Sequence, residues 1–297
     1  MATGIDMLEQ KKRYILTLAC PDRKGIVKEV SKYLYDIDTT IIEAAQYGDA
    51  VSNRFFLRME FSAASERSLI SIDEIKRSFA AVAETFSMVW DINDAAMRIK
   101  AIIAVSRAGH CLNDVLYRWK AGILPVDIIA VVSNHTDMQE MVTWHGLPFH
   151  HLPVTGKTRR EQELRILSLM KSGGAELLLL ARYMQILSNE MCEDIARIGN
   201  AINIHHSFLP GFKGARPYHQ AYERGVKIIG ATAHYVTGDL DAGPIIEQCV
   251  ERIDHQYTPE ELMQIGRDTE CLAFASAIKW HCEHRVIRNG NRTVVFR

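Results

Sequence analysis

The sequence predicts an α/β fold in two domains, and two observations predict it. Residues 13 to 91 alternate strand-like and helix-like patterns in the order βαββαβ, the ferredoxin-like arrangement. From Lys100 onward the pattern changes to short, near-continuous apolar runs separated by helical stretches. Such runs suit parallel strands covered on both faces, as in a doubly wound, Rossmann-like sheet. The expected boundaries are 1–91 for the first domain, 92–98 (INDAAMR) for a polar linker and 99–297 for the second.

In RYILTLAC, Tyr14, Leu16, Leu18 and Cys20 alternate as a half-buried strand requires. After the turn PDRKG, Ile26, Val27, Val30 and Leu34 recur at helical spacing, and TIIEAAQY reads as the second strand. Gly48 and Asp49 supply a hairpin turn into the third, where Val51, Asn53, Phe55, Leu57, Met59 and Phe61 share one face. Leu69, Ile72, Ile75, Phe79 and Val82 mark a second helix, and Phe86, Met88 and Trp90 a last strand. In the second domain KAIIAVS, PVDIIAVVS, AELLLLA and NAINIH are the expected parallel strands. Thr258-Pro259-Glu260-Glu261 combines an N-cap threonine, a first-turn proline and a capping-box glutamate. A long helix follows through about His281, expected to pack through Leu262, Ile265, Leu272 and Trp280.

Composition excludes several function classes. The 297 residues are 47% hydrophobic and 24% charged, with a net charge of -1, so no basic footprint for nucleic acid exists. No apolar run approaches the roughly 20 residues of a membrane-spanning helix, and the first residues lack a secretory pattern, so a cytoplasmic protein is expected. Six scattered cysteines, without C-x-x-C or metal-ligand spacing, read as reduced thiols and argue against a metal site.

Ligands of a doubly wound sheet sit beyond the carboxyl ends of its strands, which directs attention to NAINIHHSFLPGFKGARPYH. Asn203 and His205 are two apart at a strand end and point to one side, before Pro210, Gly211, Gly214 and Pro217 force turns. Downstream, IIGATAHYVTGDLDAGPIIEQ reads as strand, polar turn, strand, with His234 on the first strand and Asp239 and Asp241 in the turn. An amide, an imidazole and a carboxylate suit acyl chemistry at a formamide, although residues of these types, taken one at a time, are more often structural turn formers. Neighbouring pairs such as His205 and His206, or His150 and His151, face opposite ways and do not readily share a metal.

The stretch NIHHSFLPGFKGARPYHQAYERGVKIIGATAHYVTGDLDAGPIIEQ resembles the signature of the folate-dependent formyltransferase superfamily, and the resemblance covers almost all of 100–297. It implies catalytic roles for Asn203, His205 and Asp241, and a place for His234 close to the site. ARYMQILS is similar to the segment whose backbone grips the pterin, which implies folate contacts at Gln185, Ile186 and Leu187. Lys213 and Arg216 are further candidates, for the glutamate tail.

The first domain, with LTLACPDRKGIV and NRFFLRMEF, resembles an ACT domain of the kind found in the formyltetrahydrofolate deformylase family. SRAGHCLNDVLYRW, VSNHTDM and PFHHLPV resemble the same family. The pairing implies hydrolysis of 10-formyltetrahydrofolate to formate and tetrahydrofolate in support of purine biosynthesis, with the folate as substrate and no separate cofactor. It also implies homo-oligomers, with the first domain either binding an amino-acid effector, glycine or methionine, or serving only to drive oligomerisation. A physical argument agrees: the glycinamide ribonucleotide enzyme of this superfamily carries a glycine-rich loop that can cradle its acceptor's phosphate, whereas residues 106–112 read SRAGHCL, with one glycine. The alternatives are a formyltransferase to a small amine, and a folate-binding or amino-acid-sensing protein without catalysis; the intact Asn, His and Asp argue against the latter.

Overall fold

The structure, a computed structural model, describes residues 12–64, 71–211 and 217–297. Leu69, Lys213, Gly214 and Arg216 lie outside the described residues. The chain divides into two compact units, one of residues up to Arg98 with Glu283–Asn289 and Val294–Arg297, the other of Ile99–Cys282 with Gly290–Thr293.

The first unit has strands β1 (Arg13–Pro21), β2 (Thr39–Asp49), β3 (Arg54–Ala63) and β4 (Val89–Asp94), with helices α1 (Ile26–Asp36) and α2 (Ile72–Phe86). Their sheet order is β2-β3-β1-β4, the ferredoxin-like topology of ACT domains. The alternating residues Leu16, Leu18, Leu57, Met59 and Phe61 form its core with Val30, Leu34, Ile75 and Phe79 of the helices. A capping box between Ser71 and Glu74 starts α2.

Two local expectations shift. The hairpin turn falls at residues 50–53, not at Gly48-Asp49, because the Asp49 carboxylate accepts from Val51 N at 3.1 Å and Ser52 Oγ at 2.6 Å. Val51 and Asn53 therefore precede the strand. Phe86 closes α2 rather than opening β4, which continues to Asp94 opposite Tyr14.

The opposite face of this sheet is covered by the chain's C-terminal segment. Phe296 packs on Ala19 and Phe56, whose parity sets them away from the helices. Arg285 clamps the Glu43 carboxylate at 2.9 and 3.0 Å, the buried Arg58 reaches it at 2.8 Å, and Asn289 donates to Asp49 at 2.8 Å. Bidentate pairing satisfies charges that the covered face would otherwise leave stranded.

The second unit contains β5 (Ile99–Val105), α3 (His110–Lys120), β6 (Val126–Ser133), α4 (Gln139–Trp144), β7 (Phe149–His151) and α5 (Arg159–Gly173). It continues with β8 (Leu177–Ala181), α6 (Asn189–Ile198), β9 (Asn200–His205), α7 (Pro217–Arg224), β10 (Ile228–Tyr235), β11 (Ile245–Arg252) and α8 (Pro259–Cys282). The sheet order is β11-β10-β9-β8-β5-β6-β7, parallel from β9 to β7. Strand β10 runs antiparallel to both neighbours, so the doubly wound sheet carries an antiparallel extension at one edge. Connections reverse direction between β5 and β8, which makes that gap the topological switch point.

Strands Ala101–Val105 and Leu177–Ala181 are wholly buried, as their unbroken apolar runs require. Helix α8 begins at the expected capping box, with Thr258 Oγ1 accepting from Glu261 N and Glu261 accepting from Thr258 N. Its buried face differs from expectation at Leu272, which is 52% exposed, while Gly266, Ala273, Ala277 and Ile278 face inward. Among the described residues no helix is long and apolar enough to cross a membrane.

Candidate active site

Strand β9 ends with Asn203 and His205 on one face, and the antiparallel register sets His234 of β10 opposite Asn203 and Thr232 opposite His205. Asn203 Nδ2 lies 3.3 Å from His234 Nε2, and His234 Nδ1 lies 2.8 Å from the carbonyl oxygen of Tyr235. A carbonyl only accepts, so Nδ1 carries the ring proton. Burial pushes the His234 imidazole below its ordinary pKa, which keeps the ring neutral and leaves Nε2 as an acceptor. It therefore accepts from Asn203 Nδ2, and this orients the amide with its second N–H available.

The loop between β10 and β11 delivers Asp241, in the left-handed region at φ 52, with Oδ1 3.3 Å from His205 Nδ1 and 3.8 Å from His234 Nε2. A hydrogen bond from His205 holds the Asp241 carboxyl below its usual range, outweighing partial burial. The loop closes through Gly243, where a Cβ would lie 1.8 Å from Tyr235 O, so no larger residue fits. His205 Nε2 is buried and has no hydrogen-bond partner among the described residues. One polar nitrogen is thus available beside an ionised carboxylate and an oriented amide. Beyond the end of β9 lies an apolar cavity of about 500 Å³, lined by His206, Phe208, Pro210, Tyr218, Ile229 and Val250 among others but by none of Asn203, His205 and Asp241.

The chain after β8 forms the loop Arg182–Leu187 before Ser188 caps α6 by accepting from Met191 N. Ser106 Oγ accepts from Met184 N at 3.0 Å, and the buried Glu163 accepts from Ser188 N at 2.8 Å and Ser188 Oγ at 2.6 Å. Gln162 bonds the Tyr183 hydroxyl, and Arg159 bonds the Ile186 carbonyl. Gln185 and Leu187 are half-buried in this pinned loop, and Ile186 is 60% exposed.

A family model described as formyl transferase matches residues 99–278. A formyltetrahydrofolate deformylase of Corynebacterium sp. (strain P-1) is 47% identical over 98% of this chain and 100% of its own length. The chain belongs to the formyltetrahydrofolate deformylase family. A solved formyltetrahydrofolate deformylase from Burkholderia mallei matches at 51% identity and a TM-score of 0.89, covering 96% of this chain and 100% of that one. A solved glycinamide ribonucleotide transformylase 1 from Symbiobacterium toebii matches at 27% identity and a TM-score of 0.63, over 67% of this chain and 95% of its own. Formyltetrahydrofolate deformylase relatives thus extend over both units, and the transformylase over about two thirds of the chain.

Sequence reasoning placed Asn203, His205, His234 and Asp241 on two adjacent strands and the following loop, and the structure brings all four together. It did not find the buried carboxylates Glu163 and Glu270, each 1% exposed. Glu270 of α8 accepts from His110 Nε2 at 2.8 Å and from the Tyr218 hydroxyl at 2.8 Å, with Arg182 Nε at 3.4 Å. Burial alone would raise its pKa, but His110 and Arg182 hold it below the usual value. Burial, aided by Arg182 and His205, pushes the neighbouring His206 down to about 4. Among the described residues, His110, Cys111 and Glu270 have donor atoms within 4.8 Å of one another, close enough to hold a cation, but Arg182 already supplies one there.

Proposed function

We propose that this protein hydrolyses 10-formyltetrahydrofolate to formate and tetrahydrofolate, using Asn203, His205 and Asp241. The observation that carries this reading is the convergence of an oriented amide, a buried imidazole and an ionised carboxylate at one strand end, in a chain whose full-length relatives bear the deformylase name.

Water adds to the formyl carbon while the second N–H of Asn203 donates to the developing oxyanion, joined by His205 Nε2–H once the ring, whose Nδ1–H faces Asp241, carries a second proton. Asp241 orients the water and takes its proton. The tetrahedral species collapses, the bond from carbon to N10 breaks, and N10 takes up a proton relayed through His205. Each acid or base function has a group within reach, and no covalent intermediate is required. Preorganised donors of this kind typically contribute about 10²- to 10³-fold each.

Gln185, Ile186 and Leu187 grip the pterin through their backbone, supported by the way Ser106 and Glu163 pin that loop. On this reading the enzyme works in the cytoplasm and supplies formate for purine biosynthesis. The ferredoxin-like unit pairs copies of the chain and binds glycine or methionine as effector; exposed Ile42 and Tyr47 on its edge strand β2 support a contact surface. Titrating amino acids against turnover tests this part.

The test of the main reading is an acceptor-free assay. Equimolar formate and tetrahydrofolate from 10-formyltetrahydrofolate and water alone is the expected result; turnover that depends on an added amine would favour a formyltransferase instead.

A further inference from the structure

A doubly wound sheet opens its ligand crevice at the switch point, here between the carboxyl ends of β5 and β8. In this chain the residues leaving those two strands close on one another. Arg182 directly follows β8, in the left-handed region at φ 59, and stands 3.4 Å from Glu270 Oε2. His110, the first residue of α3 after β5, donates to the same oxygen at 2.8 Å, and Tyr218 donates to Oε1 at 2.8 Å. Glu270 is 1% exposed and both its oxygens are engaged.

The cluster has a place built for it. Helix α8 carries Gly266 one turn before Glu270, and a Cβ there would lie 2.1 Å from the Tyr218 hydroxyl oxygen. A mid-helix glycine costs about 1 kcal/mol relative to alanine, so its presence fits the need to seat that phenol. The Tyr218 ring lies 6.4 Å from that of His206, which lies 5.0 Å from that of His205. The cluster therefore adjoins the reacting groups.

A transformylase must admit an amine, and one acting on a ribonucleotide a phosphate too, to the same formyl carbon that hydrolysis exposes to water. An incoming ammonium would need a free acceptor, and Glu270, with both oxygens engaged, has none to offer; a phosphate at the loop after β5 would meet a His110 already bonded to Glu270. We propose that Arg182, His110, Glu270 and Tyr218 are specificity-determining residues that close the acceptor side of the active site, so that water alone reaches the formyl carbon. The proposal rests on the hydrolase reading above and goes beyond it by assigning the exclusion to a folded, charge-balanced plug rather than to a missing glycine-rich loop.

The test uses a double variant, Arg182→Gly with Glu270→Gln, which removes both charges of the plug together. It is assayed with 10-formyltetrahydrofolate and hydroxylamine or glycinamide, and products are partitioned between formate and formylated amine. In transfer the amine nitrogen bonds the formyl carbon and loses a proton, while the bond to N10 breaks and N10 gains one. Wild type is expected to give formate at a rate the amine does not change. The variant is expected to give a formyl-amine fraction about tenfold or more above the wild-type background, rising with amine concentration. A folded variant that still releases formate with the wild-type partition would overturn the proposal. Wild type is also titrated with glycinamide ribonucleotide: absence of inhibition at millimolar concentration is expected, and competition with 10-formyltetrahydrofolate would overturn the proposal however the variant folds. Wild type that releases no formate at all would instead sink the hydrolase reading, a separate outcome.

Discussion

Asn203 and His234 face each other across the β9–β10 ladder, and the neutral His234 ring accepts from the Asn203 amide at 3.3 Å. The amide's orientation at the proposed reacting centre therefore depends on a ring held in one tautomer by the Tyr235 carbonyl. His234→Phe keeps the ring volume and removes the acceptor. Turnover should fall about 10-fold or more, with KM changed far less, because the loss is confined to the transition state. Steady-state kinetics checks it; a change in KM alone would contradict the positioning role.

Glu163 secures the loop that carries Gln185, Ile186 and Leu187 by accepting from Ser188 N and Oγ. Glu163→Gln retains the size but converts two charge-assisted bonds into weaker ones, about 1 kcal/mol or more in all. Folate affinity should weaken by about fivefold or more with kcat largely kept. Calorimetric titration of a folate analogue measures the effect directly.

Gly266→Ala improves helix propensity and should nonetheless destabilise the protein. The new Cβ would meet the Tyr218 hydroxyl at 2.1 Å, and overpacking costs about 1–3 kcal/mol. Denaturant unfolding should show a lower midpoint, and pairing with Tyr218→Phe should restore part of it.

His206 is held at about 4 against an ordinary value of 6.5, chiefly by burial. In the window between those values the unfolded chain binds a proton that the folded chain refuses, so stability falls as pH drops from 6.5 toward 4. The loss from this group alone is about 3 kcal/mol at most. His206→Gln, which cannot take up that proton, should flatten the acid limb of a melting-temperature profile; an unchanged limb would show that other groups carry it.

Much of this was legible in the sequence because it depends on local pattern. Unbroken apolar runs revealed β5, β6, β8 and β9, and Thr258 with Glu261 marked the start of α8. Asn203 and His205 could be placed on one face from the period of a strand, and Asp241 in the turn that faces them. What stayed hidden is set by partners distant in sequence. Glu270 lies 160 residues from His110, and nothing in a helical pattern distinguishes a solvated glutamate from one 1% exposed. Leu272 looks like a core residue of α8 until Glu270 and Gly266 are seen to need the inner face. The three-residue β7 is too short for periodicity to register, and the return of Arg285 and Asn289 to Glu43 and Asp49 has no local signal. Tertiary pairing of charge decides those features.

Formate release by Asp241→Asn, measured together with folate affinity, tests the central claim most directly. Asparagine preserves the shape of the side chain but can neither take a proton from water nor hold the charge that faces His205 Nδ1 at 3.3 Å. Turnover should fall by about 10²-fold or more while folate affinity stays within a few-fold of wild type. A variant that still releases formate within a few-fold of the wild-type rate would contradict the assignment of Asn203, His205 and Asp241 as the hydrolytic centre.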